Sequence, residues 1–132
     1  MTAAATHTQK ITWTAGEIKG EKAYSLSNGT YLHFPSLSIP GLTTDQEHVF
    51  AIDVSQIQIL ILLASVDMTL ETNSGAAPDN TIALKANVPY VWLKDDSYDA
   101  CKLTVDVTKI YLTNAGADDG TFEALVIYDS TP

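Results

Sequence analysis

The stretch QIQILILLAS, residues 56 to 65, decides the fold, because six apolar residues follow one another from Ile59 to Ala64 in a chain of net charge −9. Spanning a membrane takes about 20 apolar residues, and this run ends at Ser65 and Asp67. We therefore expect no membrane insertion. The run could form a strand buried on both faces, a buried helix, or a strand whose second face meets another chain. We favour the last interpretation.

Alternation with a period of two divides this stretch into two faces. One face holds Ile57, Ile59, Ile61 and Leu63, and the other holds Gln56, Gln58, Leu60, Leu62 and Ala64. The first face is apolar throughout, so we expect it to line the core. The second becomes apolar at Leu60 and Leu62, which we predict to pack against neighbouring subunits around a symmetry axis. The alternative is that the N-terminal strand or the loop 35–47 covers them within one chain.

Most of the remaining sequence also alternates, which predicts about nine to eleven short strands. Asn28-Gly29 lies between two alternating runs and predicts a hairpin turn. Thr44 and Glu47 have the spacing of a capping box, which permits a short helical turn at 45–48. So many short strands in 132 residues predict an all-β fold, namely an antiparallel sandwich of two sheets, jelly-roll-like, with a flexible N-terminal arm.

The sequence contains an internal repeat. AIDVSQI (51–57) matches TVDVTKI (104–110), and TNSGAAPDNTIAL (72–84) matches TNAGADDGTFEAL (113–125). The two pieces are unequally spaced, which excludes a solenoid of fixed period and predicts two related β corners. The short polar side chains at the corners can bond local backbone N–H groups; these structural residues are Asp53, Ser55, Asp106 and Thr108.

Composition limits both the domain organisation and the partners. Residues 1–10 have no hydrophobic period and predict a flexible arm, whereas residues 11–132 are expected to form one domain. No secretory signal is recognisable, so we expect synthesis in the cytoplasm. All seven basic residues are lysines, and residues 67–132 carry a net charge of −7. An acidic chain without arginine is a poor ligand for phosphate, so we expect no binding to nucleic acid.

Motifs for catalysis or metal binding are absent from the sequence. His7, His33 and His48 are not clustered, and the acidic turns lack the spacing of an EF-hand. There is no GxSxG motif and no glycine-rich phosphate loop. Cys101 lies in an alternating segment, where burial as a small apolar side chain is the usual role. We therefore expect no enzymatic activity, no metal and no cofactor.

One segment supports a different hypothesis. NVPYVWLKDDSYD (87–99) brings aromatic rings close to acidic side chains, a mixture that sugar-binding sandwiches use to stack a ring and hold its hydroxyls. The candidate sugar-site residues are Tyr90, Trp92, Asp95, Asp96 and Tyr98. The alternative is a strand that faces the core and is followed by a polar loop. A carbohydrate-binding module or a receptor-binding tip is therefore the second hypothesis for function.

The order VFAIDVSQIQILILLASVDMTLETNSG, TIALKANVPYVWLKDD, LTVDVTKIYLTNAG and FEALVIYD, over residues 48 to 129, resembles small β-sandwich virion proteins of tailed bacteriophages, in particular capsid decoration or cement proteins. The DVS and DVT corners, the TN strand ends and the LKANVPYVW strand carry the resemblance. It implies a virion component without enzymatic activity on the capsid surface. It further implies a homo-oligomer, often a trimer, whose partner is the phage major capsid protein.

Overall fold

A computed structural model describes residues 4–15, 17–94 and 98–128 of the chain, with side chains at Glu17, at His33 and from Ser36 onward. Nine strands and one short 3-10 turn make up its regular structure. They are β1 (Ala4–Ala15), β2 (Ile18–Ile39), β3 (Thr43–Ile52), the 3-10 turn Val54–Gln56, β4 (Ile57–Ala64), β5 (Met68–Thr72), β6 (Thr81–Leu84), β7 (Tyr90–Leu93), β8 (Val107–Asn114) and β9 (Gly120–Tyr128). No helix in these ranges is long and apolar enough to cross a membrane.

The strands form two antiparallel sheets. The first sheet has the order β1-β2-β9-β4-β7, and the second has the order β3-β8-β5-β6. Leaving out β1, each sheet takes four of the eight strands β2 to β9, and the chain crosses between the sheets in the manner of a jelly roll. The predicted all-β sandwich of two sheets is therefore confirmed.

A β-bulge in β4 determines which of its faces points into the sandwich. Ile57 pairs with Tyr128 and Ile59 pairs with Ile127, so two steps along β4 correspond to one step along β9. Gln58 is the extra residue. A bulge of this kind shifts the alternation by one position. Ile57 consequently belongs to the main core, whereas Ile59 belongs to a separate cluster on the outer side of the first sheet.

The expected placement of Leu60 and Leu62 at a subunit interface is therefore wrong. Both side chains are 0% exposed within the single chain and belong to the core between the two sheets. An uninterrupted period of two omits the bulge at Gln58 and therefore interchanges the core face and the outer face of β4 after Ile57. The outer face of β4 instead holds Ile59, Ile61 and Leu63, of which Ile59 is fully buried and the other two are partly exposed.

Strand β2 is long enough to leave the sandwich. Its second part, Thr30 to Ile39, pairs with β9, and its first part, Ile18 to Thr30, pairs with β1. We call β1 together with residues 18–29 of β2 the ribbon. Both β1 and β9 reach Thr30, so they lie on opposite edges of β2. The ribbon continues the first sheet past the end at which β9 finishes.

The ribbon corrects two predictions about the N-terminal part. Residues 4 to 10, expected as part of an unstructured arm, lie in β1, while residues 1–3 are outside the described residues. Asn28-Gly29 lies within β2 and is not the hairpin turn, which falls between Ala15 and Ile18. Leu26 pairs with His7 and Gly29 pairs with Ala5, so the Asn28-Gly29 segment forms a bulge opposite β1. Pairing with a distant strand overrides the local preference for a turn.

Two further local predictions fail because of contacts between residues far apart in the sequence. Residues 45–48, expected as a helical turn, belong to β3, where Asp45 has a φ of 53° and lies in a bulge opposite β8. Residues 101–106, whose alternation around Cys101 predicts a strand, are irregular, and β8 begins only at Val107. Pairing with β8 decides the first segment, whereas in the second the backbone N–H groups donate to side chains that lie far away in the sequence.

Candidate functional site

The two predicted corners meet at the end of the sandwich from which the ribbon projects. Asp53 closes the first corner locally, because its Oδ1 accepts bonds from Ser55 N–H at 3.0 Å and from Ser55 Oγ at 2.6 Å. Asp106 of the second corner bonds the first, since its Oδ1 accepts a bond from Val54 N–H at 3.0 Å. The repeated Asp residues thus hold the passage from β3 to β4 from both sides.

Thr108 does not close its own corner. It is the second residue of β8, and its N–H and Oγ1 both donate to Asn73 Oδ1, at 2.8 and 3.1 Å. Asn73 Nδ2 donates in turn to the carbonyl oxygen of Asp106 at 2.8 Å and to Asp79 Oδ2 at 2.7 Å. The local pattern expected for both corners therefore holds at Asp53 and Ser55, whereas Asn73 organises the second corner.

Asn114 holds the loop after its strand in the second copy of the repeat, as Asn73 does in the first. Its Oδ1 accepts a bond from Gly116 N–H at 3.2 Å, and its Nδ2 donates to the carbonyl oxygens of Ile39 and Asp118, at 3.2 and 2.8 Å. Asn73 is half-buried with a φ of 67°, while Asn114 is only 1% exposed. Each asparagine ends a strand and fixes the loop that follows, as the matched sequence pieces indicate.

The hydrogen bonds at the first corner make it sensitive to acid. The Ser55 hydroxyl, and after it the Ser55 backbone N–H, lower the pKa of Asp53. A lowered pKa in the folded state contributes stability above the ordinary value near 3.9, and that stability is lost as the pH falls through the lowered value. We expect Asp53→Ala to lower Tm at pH 7 and to lower it progressively less below about pH 4. Thermal unfolding monitored by circular dichroism at several pH values measures this.

Ser55→Ala is the matched variant, because it removes the main cause of the lowered pKa and keeps the carboxylate. It should change Tm in the same direction by a smaller amount. A loss in Asp53→Ala that stayed constant between pH 7 and pH 2.5 would contradict the assignment of the charged carboxylate to this corner.

The candidate sugar site is only partly assembled. Tyr90 and Trp92 lie on β7 opposite Leu62 and Leu60, and both rings pack against the main core. Trp92 Nε1 donates to the Asp99 carbonyl oxygen at 3.0 Å, and the Tyr90 hydroxyl accepts a bond from Lys102 N–H at 3.0 Å. These two residues hold segment 98–102 against the side of the sandwich.

An open cavity of about 310 Å³ lies beside this segment. Tyr90, Trp92, Tyr98, Asp99 and Lys102 are among the residues that line it. Tyr98 is fully exposed, and the Lys102 Nζ lies 5.5 Å from the centre of the Tyr90 ring. Asp95 and Asp96 lie outside the described residues. Of the five candidate residues, the structure thus brings three around one cavity.

A group of acidic residues on the outer side of the second sheet was not singled out from the sequence. Tyr111 on β8 is paired with Glu47 on β3 and with Glu71 on β5. The Tyr111 hydroxyl donates to Glu47 Oε1 at 2.8 Å, and Lys109 Nζ lies 3.4 Å from the same oxygen. Glu47, Glu71 and Tyr111 are 24 to 64 positions apart in the sequence, so only the strand order could have revealed the group.

The two glutamates beside Tyr111 are affected in opposite directions. Partial burial, and after it the neighbouring Asp45 carboxylate, raise the pKa of Glu71. Hydrogen bonds from Tyr111 and then Lys109 lower the pKa of Glu47. A carboxyl with a raised pKa costs stability once the pH exceeds its ordinary value near 4.3, and one with a lowered pKa adds stability there.

We therefore expect Glu71→Gln to raise Tm at pH 7 and Glu47→Gln to lower it. Both differences should shrink as the pH falls below about 4, where the unfolded chain also binds protons at these positions. Differential scanning calorimetry of the two variants at pH 3.5 and pH 7 measures the sign of each change in Tm. Equal shifts of the same sign at pH 7 would refute the opposite roles of the two glutamates.

Among the described residues, no group of three or more His, Cys, Asp and Glu is arranged to hold a metal ion. His33 is exposed on β2, and His48 on β3 lies 3.0 Å from the Gln46 side-chain nitrogen. Burial raises the pKa of the Cys101 thiol, which keeps it in its less reactive protonated form.

Comparison of the chain with protein-family models, with curated proteins and with solved structures found no match.

Proposed function

We propose that this chain is a non-enzymatic structural protein of a virus particle, and specifically a decoration or cement protein on the capsid of a tailed bacteriophage. The observation that supports this best is the ribbon, which leaves the sandwich as two paired strands. An isolated two-stranded hairpin is at best marginally stable in water. A chain that keeps one is organised to bind a partner with it.

The polar groups of the corners support a structural role as well. Asp53, Asp106, Asn73 and Asn114 all make hydrogen bonds within the protein that fix loops and strand ends. A polar side chain that is held by internal hydrogen bonds fixes the local structure and is not free to react with a substrate. The resemblance of residues 48–129 to phage decoration proteins indicates which surface the protein would occupy, namely the outer face of the major capsid protein.

The charge distribution fits a partner that is a protein. Residues 31–132 hold four lysines and fourteen acidic residues, a net charge of −10. Such a body is repelled by nucleic acid and is attracted to basic protein surfaces. On the proposed function, the protein is made in the host cytoplasm, associates with itself and is carried on the virion.

Cosedimentation tests the proposal. Capsids of the phage that encodes the chain, purified without it, should retain the full-length protein on a sucrose gradient and should then resist heat better. A variant without residues 1–29 keeps the pairing of β2 with β9 and should bind more weakly. Tyr98→Ser, a change at an exposed residue far along the chain from the ribbon, is the control for altered surface and should bind normally. Full-length protein that stays at the top of the gradient refutes the proposal.

A carbohydrate-binding role is the second candidate, and the cavity beside Tyr98 is what favours it. Tyr98 offers a fully exposed ring, and Asp99 and Lys102 line the same cavity. A glycan array should then show binding that Tyr98→Ala abolishes and that Val105→Ala, at another exposed apolar residue, leaves unchanged. Trp92→Ala is a poor test, because that ring also packs against the core. An array without any signal excludes this candidate.

A further inference from the structure

The edge of the sandwich opposite the ribbon is covered by one segment of the chain, residues 98–105, which we call the edge segment. β7 and β6 are the last strands of their sheets on this side, and Tyr90 of β7 lines one cavity together with residues of β6. The ribbon leaves from β2, which is separated from β7 by β9 and β4. A partner held by the ribbon therefore leaves the edge segment accessible.

Side chains from both sheets hold the edge segment in one position. Tyr90 and Trp92 of β7 bond its first part, as described above. In its last part, Asn80 Oδ1 accepts bonds from the N–H groups of Thr104 and Val105, at 3.0 and 3.3 Å, and Asn80 Nδ2 donates to Thr104 Oγ1 at 2.9 Å. A surface that is fixed in advance loses little conformational entropy when a ligand binds to it.

Two open cavities lie side by side along the edge segment. The first is the cavity of about 310 Å³ beside Tyr98. The second has a volume of about 260 Å³, and its lining includes Val88, which is 56% exposed, and Lys85. Tyr90 and Lys102 line both cavities. The two cavities therefore form one continuous groove, which we call the edge groove.

The two cavities of the edge groove differ in charge. Asp99 lines the first cavity, whereas the described lining of the second contains the side chains of Lys85 and Lys102 and no acidic residue. Neither lysine forms an ion pair with a described carboxylate, and Lys102 Nζ lies 5.5 Å from the centre of the Tyr90 ring. Two unpaired ammonium groups beside apolar surface are complementary to a carboxylate, which forms strong hydrogen bonds with such donors.

The first cavity suits a sugar ring better than an acidic peptide. The Tyr98 ring is fully exposed, and the Asp99 carboxylate can accept bonds from hydroxyl groups. A peptide or polymer with many negative charges would be repelled by Asp99 and by the net charge of −10 on residues 31–132. An oligosaccharide that carries one carboxylate among neutral hydroxyl groups avoids most of this repulsion.

We propose that the edge groove binds an acidic oligosaccharide. The carboxylate of a uronic or sialic acid residue lies between Lys85 and Lys102, and a neighbouring neutral sugar lies against the Tyr98 ring. This inference rests on the carbohydrate-binding role given above as the second candidate function, and it names the ligand class of that site. It is compatible with a ribbon attached to a capsid, because the groove and the ribbon lie at opposite edges of the first sheet.

A comparison of acidic oligosaccharides with their neutral counterparts tests the inference. The array carries oligosaccharides that contain uronic or sialic acid, each printed beside the same compound with its carboxylate reduced to an alcohol. The full-length protein should bind the acidic members roughly tenfold more tightly or better, the usual contribution of a charge-assisted hydrogen bond. Raising the NaCl concentration from about 50 mM to about 500 mM should remove most of this difference, because salt screens exposed charges.

Variants of single lysines show whether the groove carries the preference. Lys102→Gln and Lys85→Gln should each bind the acidic oligosaccharides about tenfold more weakly and the reduced ones unchanged. Lys109→Gln is the matched control, because it removes the same charge at a lysine that is paired with Glu47 outside the groove, and it should bind normally. Tyr98→Ala should weaken binding to both kinds of oligosaccharide. Circular dichroism and Tm verify that each variant is folded.

The possible results separate this inference from the functions proposed above. Equal binding of acidic and reduced oligosaccharides overturns the inference and leaves the carbohydrate-binding role intact. Equal losses of affinity in Lys102→Gln and Lys109→Gln, or equally tight binding of a glutamate-rich peptide, overturn it as well. An array without any signal excludes the carbohydrate-binding role and the inference together, while the proposed capsid role is decided separately by cosedimentation.

Discussion

Leu62→Ala lowers the free energy of unfolding by about 2–5 kcal/mol, the usual cost of truncating a fully buried leucine, whereas Leu63→Ala costs much less. The two leucines are neighbours in β4, but Leu62 is 0% exposed between the sheets and Leu63 is partly exposed on the outer face. Equilibrium denaturation in urea, followed by tryptophan fluorescence, measures both. The slope of the free energy with urea should stay the same in the two variants.

The pair of variants tests the bulge at Gln58 directly. If the alternation ran through β4 without interruption from Ile57, Leu63 would face the core and the order of the two costs would be reversed. The double variant Leu60→Asp/Leu62→Asp should fail to fold, because it places two carboxylates in the core. A folded monomer from that variant would restore the interpretation of these residues as an interface.

Asn114→Ala is expected to be the most destabilising change among the polar residues described here, at about 2 kcal/mol or more. It leaves the Ile39 carbonyl oxygen without its partner at a buried bond, and the Asp118 carbonyl oxygen and the Gly116 N–H without theirs at partly buried bonds, around a side chain that is 1% exposed. Each buried polar group left unpaired costs roughly 1–3 kcal/mol. Urea unfolding measures the loss, and faster amide hydrogen exchange in the loop after β8 should accompany it.

Asn73→Gly is the matched control from the other copy of the repeat. Glycine tolerates the φ of 67° at this position, so the variant reports on the lost hydrogen bonds without added backbone strain. Asn73 is half-buried, and water can replace part of what its side chain provides. The free energy of unfolding should therefore fall by less in Asn73→Gly than in Asn114→Ala. Equal losses of the free energy of unfolding in the two variants would contradict the expectation that the more deeply buried asparagine contributes more.

The sequence was informative about the fold wherever the signal was local or strongly hydrophobic. The apolar run from Ile59 to Ala64 indicated a strand, and alternation elsewhere indicated a sandwich. The phase of β4 could not be predicted, because the bulge at Gln58 is set by the pairing with β9. For the same reason Asn28-Gly29 formed a bulge in β2 and not a turn.

At the candidate site, too, contacts between residues close in the sequence could be predicted and contacts between distant residues could not. The bonds from Asp53 to Ser55 span two residues and could be anticipated from the sequence. The bond from Val54 to Asp106 spans 52 residues, and the approach of Glu71 to Asp45 depends on the packing of the second sheet. No local pattern encodes such contacts. The cavity beside Tyr98 was anticipated only as a mixture of rings and acids, whereas the packing of Trp92 against the core agrees with the other interpretation of that segment, a strand that faces the core.

The continuity of β2 has a mechanical consequence. One strand runs from the ribbon into the first sheet, and its ladder with β9 extends from Thr30 to Ile39 along that same direction. Tension applied along the ribbon would load this ladder in shear, because the hydrogen bonds between strands lie perpendicular to the strand axis. The bonds would share the load and would not break one after another. A sandwich attached in this way can be pulled on by its anchor without being unzipped.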